Sequence, residues 1–513
     1  MALGIAFAAS ACGSNPASSG GVDASADASP EADTAVDPAP VVANCAAPAG
    51  AFVPLATRCG HFVDAQGRVR VLRGVNARVL GVFDADLGAG HDPRIVTFPL
   101  PAADLVRMRR IGFDVLRLPL DWSALEPNDT SPPTYDSSYL DRVAQVVADA
   151  KAADVQVLLD FHQDAFSKWI GQDGAPLWAI SPAPASIDYG PLDLGTASLS
   201  SVVQNAFATL ISATSTDAVA LRGRYAAAIA AVAKRFAGDT TVIGIELMNE
   251  PQATDDQLRA FHATLVPTVR QADPARLLFF EPPATRNLID SAEVPTQPLS
   301  DATGKPFDGV VYAPHVYTQV FNPGDKTSFI NSFTLDDLLP SNQNAREEAQ
   351  GWQAPLFIGE YGWGPTGDRF PDYIGDQLIA QDMVMASSTW WTWKEAPPGG
   401  SWGMFDYDAA TATWTERTEV RQTFARVQPR AIAGWPTQWS YDKTAQRFDL
   451  VMQTDASVHG PTVLHVPTPE DGPTGWQVSC DGHPVVASPD VHGDVSVDCA
   501  GVGRHEIIVS PTR

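Results

Sequence analysis

Two glutamates sit where apolar runs end: Glu250, within Asn249-Glu250-Pro251 after the run 241–247, and Glu360, within Gly359-Glu360-Tyr361 after the run 355–358. Two carboxyl groups about 5 Å apart can cleave a glycosidic bond with retention, one protonating the leaving oxygen while the other attacks the anomeric carbon. The acid needs a raised pKa and the nucleophile must stay ionised, so cationic or hydrogen-bonding partners should favour Glu360. Arg117 is the expected ion partner, with Tyr317 as a second donor. His315 is expected to assist Glu250, and Asn249 to bond a sugar 2-hydroxyl. Further polar residues end other apolar runs: His162, Gln163 and Asp164 after 155–161, and Trp391 and Trp393 at the last run. Alternation places Trp391 and Trp393 on one face and Trp390 on the other, so either of the first two could be a flat platform under a sugar ring. Taken singly, each residue has a structural explanation as a turn, an ion pair or core. Their coincidence at the same end of successive runs is what points to a site.

The elements that must position them alternate. β-branched, apolar runs occur at 69–75, 114–118, 155–161, 241–247, 276–280, 309–312, 355–358 and 388–393, with helical periods between them, such as Leu140, Val143, Ala144, Val147 and Tyr225, Ala228, Ile229, Val232, Phe236. Eight strand–helix repeats predict an α/β fold, a closed (β/α)8 barrel with its site at the carboxyl ends of the strands. The stretch 285–305 reads as loop. After Val427 the pattern becomes short alternating strands, a small antiparallel β-sandwich. Trp435, Trp439 and Trp476 are spaced to serve a core or domain interface there, which favours a packed appendage over a carbohydrate-binding module. The expected division is therefore 1–12 leader, 13–43 linker, 44–427 catalytic domain and 428–513 sandwich.

The 513 residues carry 34 basic and 60 acidic side chains, a formal net charge of −26. With no basic cluster, nucleic acid is excluded as a partner and a neutral glycan fits better. Residues 1–11 are small and apolar and run into Ala9-Ser10-Ala11-Cys12, which predicts an exported bacterial lipoprotein anchored at Cys12, although no Lys or Arg precedes the run and Ala9 stands where Leu is usual. Segment 13–43 has five acids, no bases and no aromatic residue, and reads as a flexible tether. Cys45 with Cys59 and Cys480 with Cys499 are the favoured disulfides, each within one local unit, and no spacing suggests a metal site. A monomer that needs no cofactor and meets only its substrate is expected.

Arg117-Leu118-Pro119, Leu247-Met248-Asn249-Glu250-Pro251, His315-Val316-Tyr317 and Ile358-Gly359-Glu360-Tyr361-Gly362, in this order, resemble glycoside hydrolase family 5, over residues 60 to 427. That resemblance implies a metal-free retaining mechanism with Glu250 at the acid/base position and Glu360 at the nucleophile position. A narrower resemblance is to the endoglycoceramidases, which release intact oligosaccharide from ceramide. It rests on Asp160-Phe161-His162-Gln163-Asp164, followed by Gly174-Ala175-Pro176 and Trp178, and on Pro429-Arg430-Ala431-Ile432-Ala433-Gly434 followed by Trp439-Ser440-Tyr441-Asp442. It implies that Asp164 contacts the glucose next to the cleavage point. The chain departs from that group in having no Lys before Lys151, with Arg78 or His91 in the region where a lysine often reaches a more distant sugar. A ceramide groove would draw on residues such as Trp178, Ile180 and Phe321. Two alternatives remain: an endo-β-1,4-glucanase or mannanase using the same chemistry on polysaccharide, and a carbohydrate-binding surface lipoprotein without catalysis.

Overall fold

The computed structural model describes residues 55–289, 297–317, 331–363, 369–396, 402–454 and 456–512. The chain divides into two units, 1–40 and 41–513, and all described residues belong to the second. Cys12, Cys45 and Phe321 lie outside the described residues, as does the 13–43 segment.

Parallel strands covered on both faces should be buried along their whole length, and apart from half-buried Gln156 every residue of the barrel strands is. They are β1 (Arg73–Asn76), β2 (Val115–Leu120), β3 (Gln156–Phe161), β4 (Val242–Glu246), β5 (Leu277–Phe280), β6 (Val310–Tyr312, continued at His315–Val316), β7 (Phe357–Tyr361) and β8 (Ser387–Trp390). Each pairs in parallel with the next. β8 pairs with β1, and a Tyr312–Leu356 bridge and the β6–β7 ladder close the remaining seam. The sheet is therefore an eight-stranded barrel, with the sixth strand interrupted at Ala313 and Pro314. Gly74 lets β1 approach β2: a Cβ there would lie 1.8 Å from the Val115 carbonyl oxygen.

Amphipathic helices cover the outside. The helix Ser137–Ala152 buries Tyr139, Val143, Val146, Val147 and Ala150, and its Asp136 cap accepts from the Ser138 and Tyr139 amides. The helix Thr216–Arg235 buries Tyr225, Ala228, Ile229 and Val232. Within 285–305, read as loop, the described part holds one short helix, Ala284–Ile289. Among the described residues no helix is long and apolar enough to cross a membrane.

The run 69–75 is not one strand. Val69–Arg70 pairs with Gln428–Ile432 of the C-terminal region, and only Arg73–Asn76 enters the barrel. Together with Leu55–Arg58 and His61–Asp64 it extends a six-stranded sheet shared by both ends of the described chain, facing a five-stranded sheet formed by residues 435–511. Val69 and Val71 share a core with Val427, Trp439, Leu450 and Ile507. Leu55 and Phe62 plug the bottom of the barrel against Val115, Leu158, Phe279 and Phe357. Trp439 is buried and the Trp476 indole donates to the Pro467 carbonyl at 3.1 Å. Cys480 and Cys499 are bridged across this domain, and Cys59 is disulfide-bonded to a partner outside the described residues.

Candidate active site

At the carboxyl end of the barrel the interior turns from apolar to charged. Arg117, from β2, is fully buried and its guanidinium organises the floor. Its Nε and Nη2 donate to Glu246 at 2.9 and 2.7 Å, Nη1 to Asn76 at 3.0 Å and to Glu360 at 2.6 Å, and Nη2 to Asn249 at 2.9 Å. Asp160 and Glu281 add carboxylates at 3.1 and 3.5 Å. Burial acts against its charge, but Asp160, Glu246 and Glu360 outweigh it and the guanidinium is held well above its ordinary value. In return, despite its own burial, Glu246 is held down at about 2 by Arg117.

Glu360 is gripped at both oxygens. Arg117 holds Oε1, while the Tyr317 hydroxyl donates to Oε2 at 3.0 Å and His315 Nδ1 lies 3.5 Å from it. Burial pushes this carboxyl up, against the pull of His315 and Arg117. Tyr317 stays a protonated donor, because burial and the Glu360 and Glu250 carboxylates push its phenol well above its ordinary value. The β7–β8 register shifts between Ile358 and Tyr361. Such a bulge re-aims a side chain, and here Glu360 reaches the interior although neighbouring Gly359 also faces His315 and Arg117.

Glu250 sits at φ 38°, a left-handed conformation rare outside glycine. The Gln163 amide nitrogen donates to the carbonyls of Asn249 at 2.7 Å and Glu250 at 3.0 Å, and Gln163 Oε1 accepts from the Phe166 amide at 2.6 Å. Gln163, expected to bind substrate, instead has its whole amide engaged by backbone and holds the Glu250 turn. The Glu250 carboxylate is 27% exposed and meets His315 Nδ1 at 2.9 Å. Carboxylate oxygens of Glu250 and Glu360 and a ring nitrogen of His315 all lie within 4.8 Å of one another. His315 also faces the Glu281 carboxyl, 3.1 Å from Nε2; burial opposes its protonation, but the acids around it, Glu281 and Glu360 foremost, raise it well above its ordinary value.

The remaining residues form the flank. His162 Nδ1 meets Asp160 at 2.6 Å, its Nε2 faces Asp164 at 3.6 Å, and its ring stacks nearly parallel on Trp391, 5.6 Å between centroids. Asn249 is anchored by Arg117 and donates to the Gln163 carbonyl at 3.1 Å. Trp391 also carries the Arg78 guanidinium 5.0 Å over its ring. Trp393 is not part of the flank. β8 ends at Trp390, so alternation does not extend to residue 393, and the Trp393 indole is buried against Phe405 and donates to Asp104 at 3.0 Å, on the helix Ala102–Ile111. Ile180 is core, and Trp178 packs edge-on to Trp122 under the Arg224 guanidinium, so neither lines a groove. Arg78 is buried and paired with Glu395, whereas His91 is exposed and stacks on Tyr189.

Five residues of the site had no role assigned from sequence: Asn76, Asp160, Glu246, Glu281 and Trp402. Asn76 and Glu281 end or follow β1 and β5, the same polar-after-apolar signal that marks Glu360. Trp402 approaches Tyr317 edge-on at 5.8 Å, from a segment no strand pattern marks.

Residues 101–397 match the sequence profile of cellulase (glycosyl hydrolase family 5), and residues 426–505 that of the glycoside hydrolase family 5 C-terminal domain. Endoglycoceramidase I of Rhodococcus hoagii is 27% identical over 459 residues, 84% of this chain and 82% of that protein. The lactosyl-enzyme intermediate of endo-glycoceramidase II from Rhodococcus sp. superposes with a TM-score of 0.68 at 25% identity, covering 88% of this chain and 99% of the other. An endogalactoceramidase shares the fold, with a TM-score of 0.69 at 23% identity over 90% of this chain and 100% of the other.

Proposed function

The chain belongs to glycoside hydrolase family 5, a retaining hydrolase family, and from that premise we propose that it cleaves glycosphingolipids between oligosaccharide and ceramide, with Glu250 as acid/base and Glu360 as nucleophile. The observation that carries the pair is their spacing, with carboxylate oxygens within 4.8 Å of one another. That suits direct attack; an inverting pair would stand about 6.5–9.5 Å apart to admit a water.

In the first step Glu360 attacks the anomeric carbon while Glu250 protonates the departing oxygen. In the second, Glu250 takes a proton from water, which displaces Glu360 from the sugar. Arg117 and Tyr317 hold Glu360 as an oriented carboxylate, and His315 ties the two glutamates together. One Asn249 Nδ2 hydrogen goes to the Gln163 carbonyl, and the other, with only the His162 imidazole 3.5 Å away, would serve the sugar 2-hydroxyl. Trp391, backed by His162, supplies the flat surface, and Asp164 an acceptor for a hydroxyl of the same ring.

The ceramide preference rests on similarity to endoglycoceramidase I over most of both chains and to endo-glycoceramidase II, captured with lactose on the enzyme. Export agrees with the Cys480–Cys499 bridge, since disulfides persist in oxidising compartments. The test is incubation with lactosylceramide, a ganglioside, soluble β-glucan and β-mannan, with Glu360→Gln as control and products read by mass spectrometry. Intact ceramide plus whole oligosaccharide, absent in the control, is expected. Shortened polysaccharide beside untouched glycolipid would refute the substrate and keep the mechanism.

A further inference from the structure

Below the flank formed by His162 and Asp164 lies a buried acid that the mechanism above does not use. Asp173 is fully buried, and neither of its carboxylate oxygens has a hydrogen-bond donor among the described residues. Its position is built rather than incidental. The loop after β3 folds back on itself, pairing Asp173 with Asp164 across an antiparallel bridge, with the Gln172 amide donating to the Asp164 carbonyl at 2.8 Å. Gly174, at φ 116°, lets this turn close on Gln163, where a Cβ would come within 2.6 Å of the Gln163 Cβ. One oxygen of Asp173 lies within 4.8 Å of both His162 and Asp164.

The other neighbour is Asp121, which follows β2, is also fully buried, and is tied to the residue after Asp173 by the Gly174 amide. Its two oxygens are already served: Oδ2 accepts from the Asp84 amide at 2.7 Å and Oδ1 from the Gly174 amide at 2.9 Å. Two carboxyl groups in one buried place cannot both ionise, and the proton goes to the one whose anion is least solvated. Burial and the Asp84 carboxylate push Asp121 up to about 7, against the pull of its two backbone donors, whereas Asp173 has no donor at all among the described residues. Asp164, by contrast, accepts from Gln172 Nε2 at 2.8 Å and faces the His162 imidazole.

We propose that Asp173 is a neutral carboxylic acid whose proton bridges to Asp121, and that it is a positioning residue: it keeps Asp164 the one ionised acceptor aimed at the sugar ring from this loop. The sugar part of this inference rests on the function proposed above; the proton placement does not. Burial and the Asp164 and Asp121 carboxylates push the Asp173 carboxyl well above its ordinary value, against the pull of His162, while Asp164 is lowered because its bonds to His162 outweigh burial. The charged groups facing this cluster are Asp121 and Asp84 with Lys168, which donates to Asp84 at 2.7 Å, on one side, and His162, Asp164 and Arg78 on the other. An ionised Asp173 would put an unpaired charge behind Asp164 and draw His162 away from it.

Two measurements test this. The first is infrared difference spectroscopy of the resting enzyme at neutral pH, in H2O and D2O, for wild type and Asp173→Asn. A protonated-carboxyl carbonyl band that shifts in D2O and is lost in the variant is expected; identical spectra in that region would overturn the proposal even if the glycolipid assignment holds. The second is a mutant cycle on an aryl β-lactoside. Asp173→Ala should lower kcat/KM by about tenfold, the scale of one hydrogen bond to a charged group loosened at Asp164, and by far less when Asp164 is already Asn. Asp173→Asn, which retains a donor toward Asp121, should recover most of the loss. Additive losses, or an Asn variant as poor as Ala, would show that Asp173 does not act through Asp164 as a neutral donor. Should Asp173→Ala fail to fold, the infrared comparison and the Asn variant still decide.

Discussion

Tyr317→Phe isolates one contact to the proposed nucleophile. The phenol is buried and its hydroxyl lies 3.0 Å from Glu360 Oε2, while Arg117 keeps Oε1, so the variant removes a single donor and little volume. A hydrogen bond to a charged group is worth about 1.5–3 kcal/mol. Because this one stabilises the ionised carboxylate, its loss raises the Glu360 pKa, by about one to two pH units at 1.36 kcal/mol each. Glu360 is active as the anion, so the acidic limb of kcat/KM moves to higher pH, and the loss is largest below the new midpoint and fades on the alkaline side. The assay is kcat/KM against pH on an aryl β-lactoside with a good leaving group, which reports free-enzyme ionisations and leans little on Glu250. A uniform fall at every pH, with the acidic limb unmoved, would refute the claim that Tyr317 acts through the ionisation of Glu360.

Glu250→Gln should lose roughly 10²–10⁴-fold in kcat/KM on glycolipid, the scale of general-acid catalysis, while formation of the glycosyl-enzyme from an activated aryl lactoside is largely retained; equal losses on both substrates would remove Glu250 from the acid role. Glu281→Gln takes away a buried acid that burial and Glu246 push well above its ordinary value, and that faces His315 at 3.1 Å. Since that acid is expected to be neutral, the amide should keep the fold and most activity, and a collapse in melting temperature would show that it carries charge. Trp391→Leu should cost roughly tenfold in kcat/KM, about one aromatic contact, and a variant with unaltered kinetics would deny it the platform role. Truncation after Val427 strips the partners from Val69, Val71 and the Val69–Arg70 strand, so the remaining barrel should be insoluble or melt far lower. Retention of full stability with loss only of affinity for insoluble glycan would make the sandwich a binding module.

The barrel was legible because its strands are covered on both faces, which leaves runs that are mostly apolar, and because polar residues gather at the same end of successive runs. That same signal located Arg117, Glu250, His315, Tyr317 and Glu360, which the structure brings together around one guanidinium and one imidazole. It was blind where backbone direction changes without a change of composition. Valines and arginines recur through the run 69–75 without a break in composition, yet its first part serves the sandwich and its second the barrel. Trp393 follows the rhythm of β8 but lies beyond its last paired residue, so it turns outward to Asp104.

What the polar-after-apolar signal cannot carry is charge state. Arg117, His162 and His315 are cations of this interior, with Arg78 at the flank, and around them stand Asp160, Asp164, Glu246, Glu250, Glu281 and Glu360, with Asp121 and Asp173 close behind. Carboxyl groups outnumber cations, and a buried anion without a donor costs several kcal/mol, so some of these acids must hold protons. Which ones depends on donors rather than on residue type. Glu246 takes two bonds from Arg117 and is held down, while its neighbour Glu281 takes none from it and is pushed up. Asp121 takes two backbone amides and Asp173 takes none. The same rule, applied at two places behind the flank, sorts acids that look identical in the sequence into anions that orient and neutral groups that fill, and it leaves the ionised carboxylates nearest the sugar where chemistry needs them.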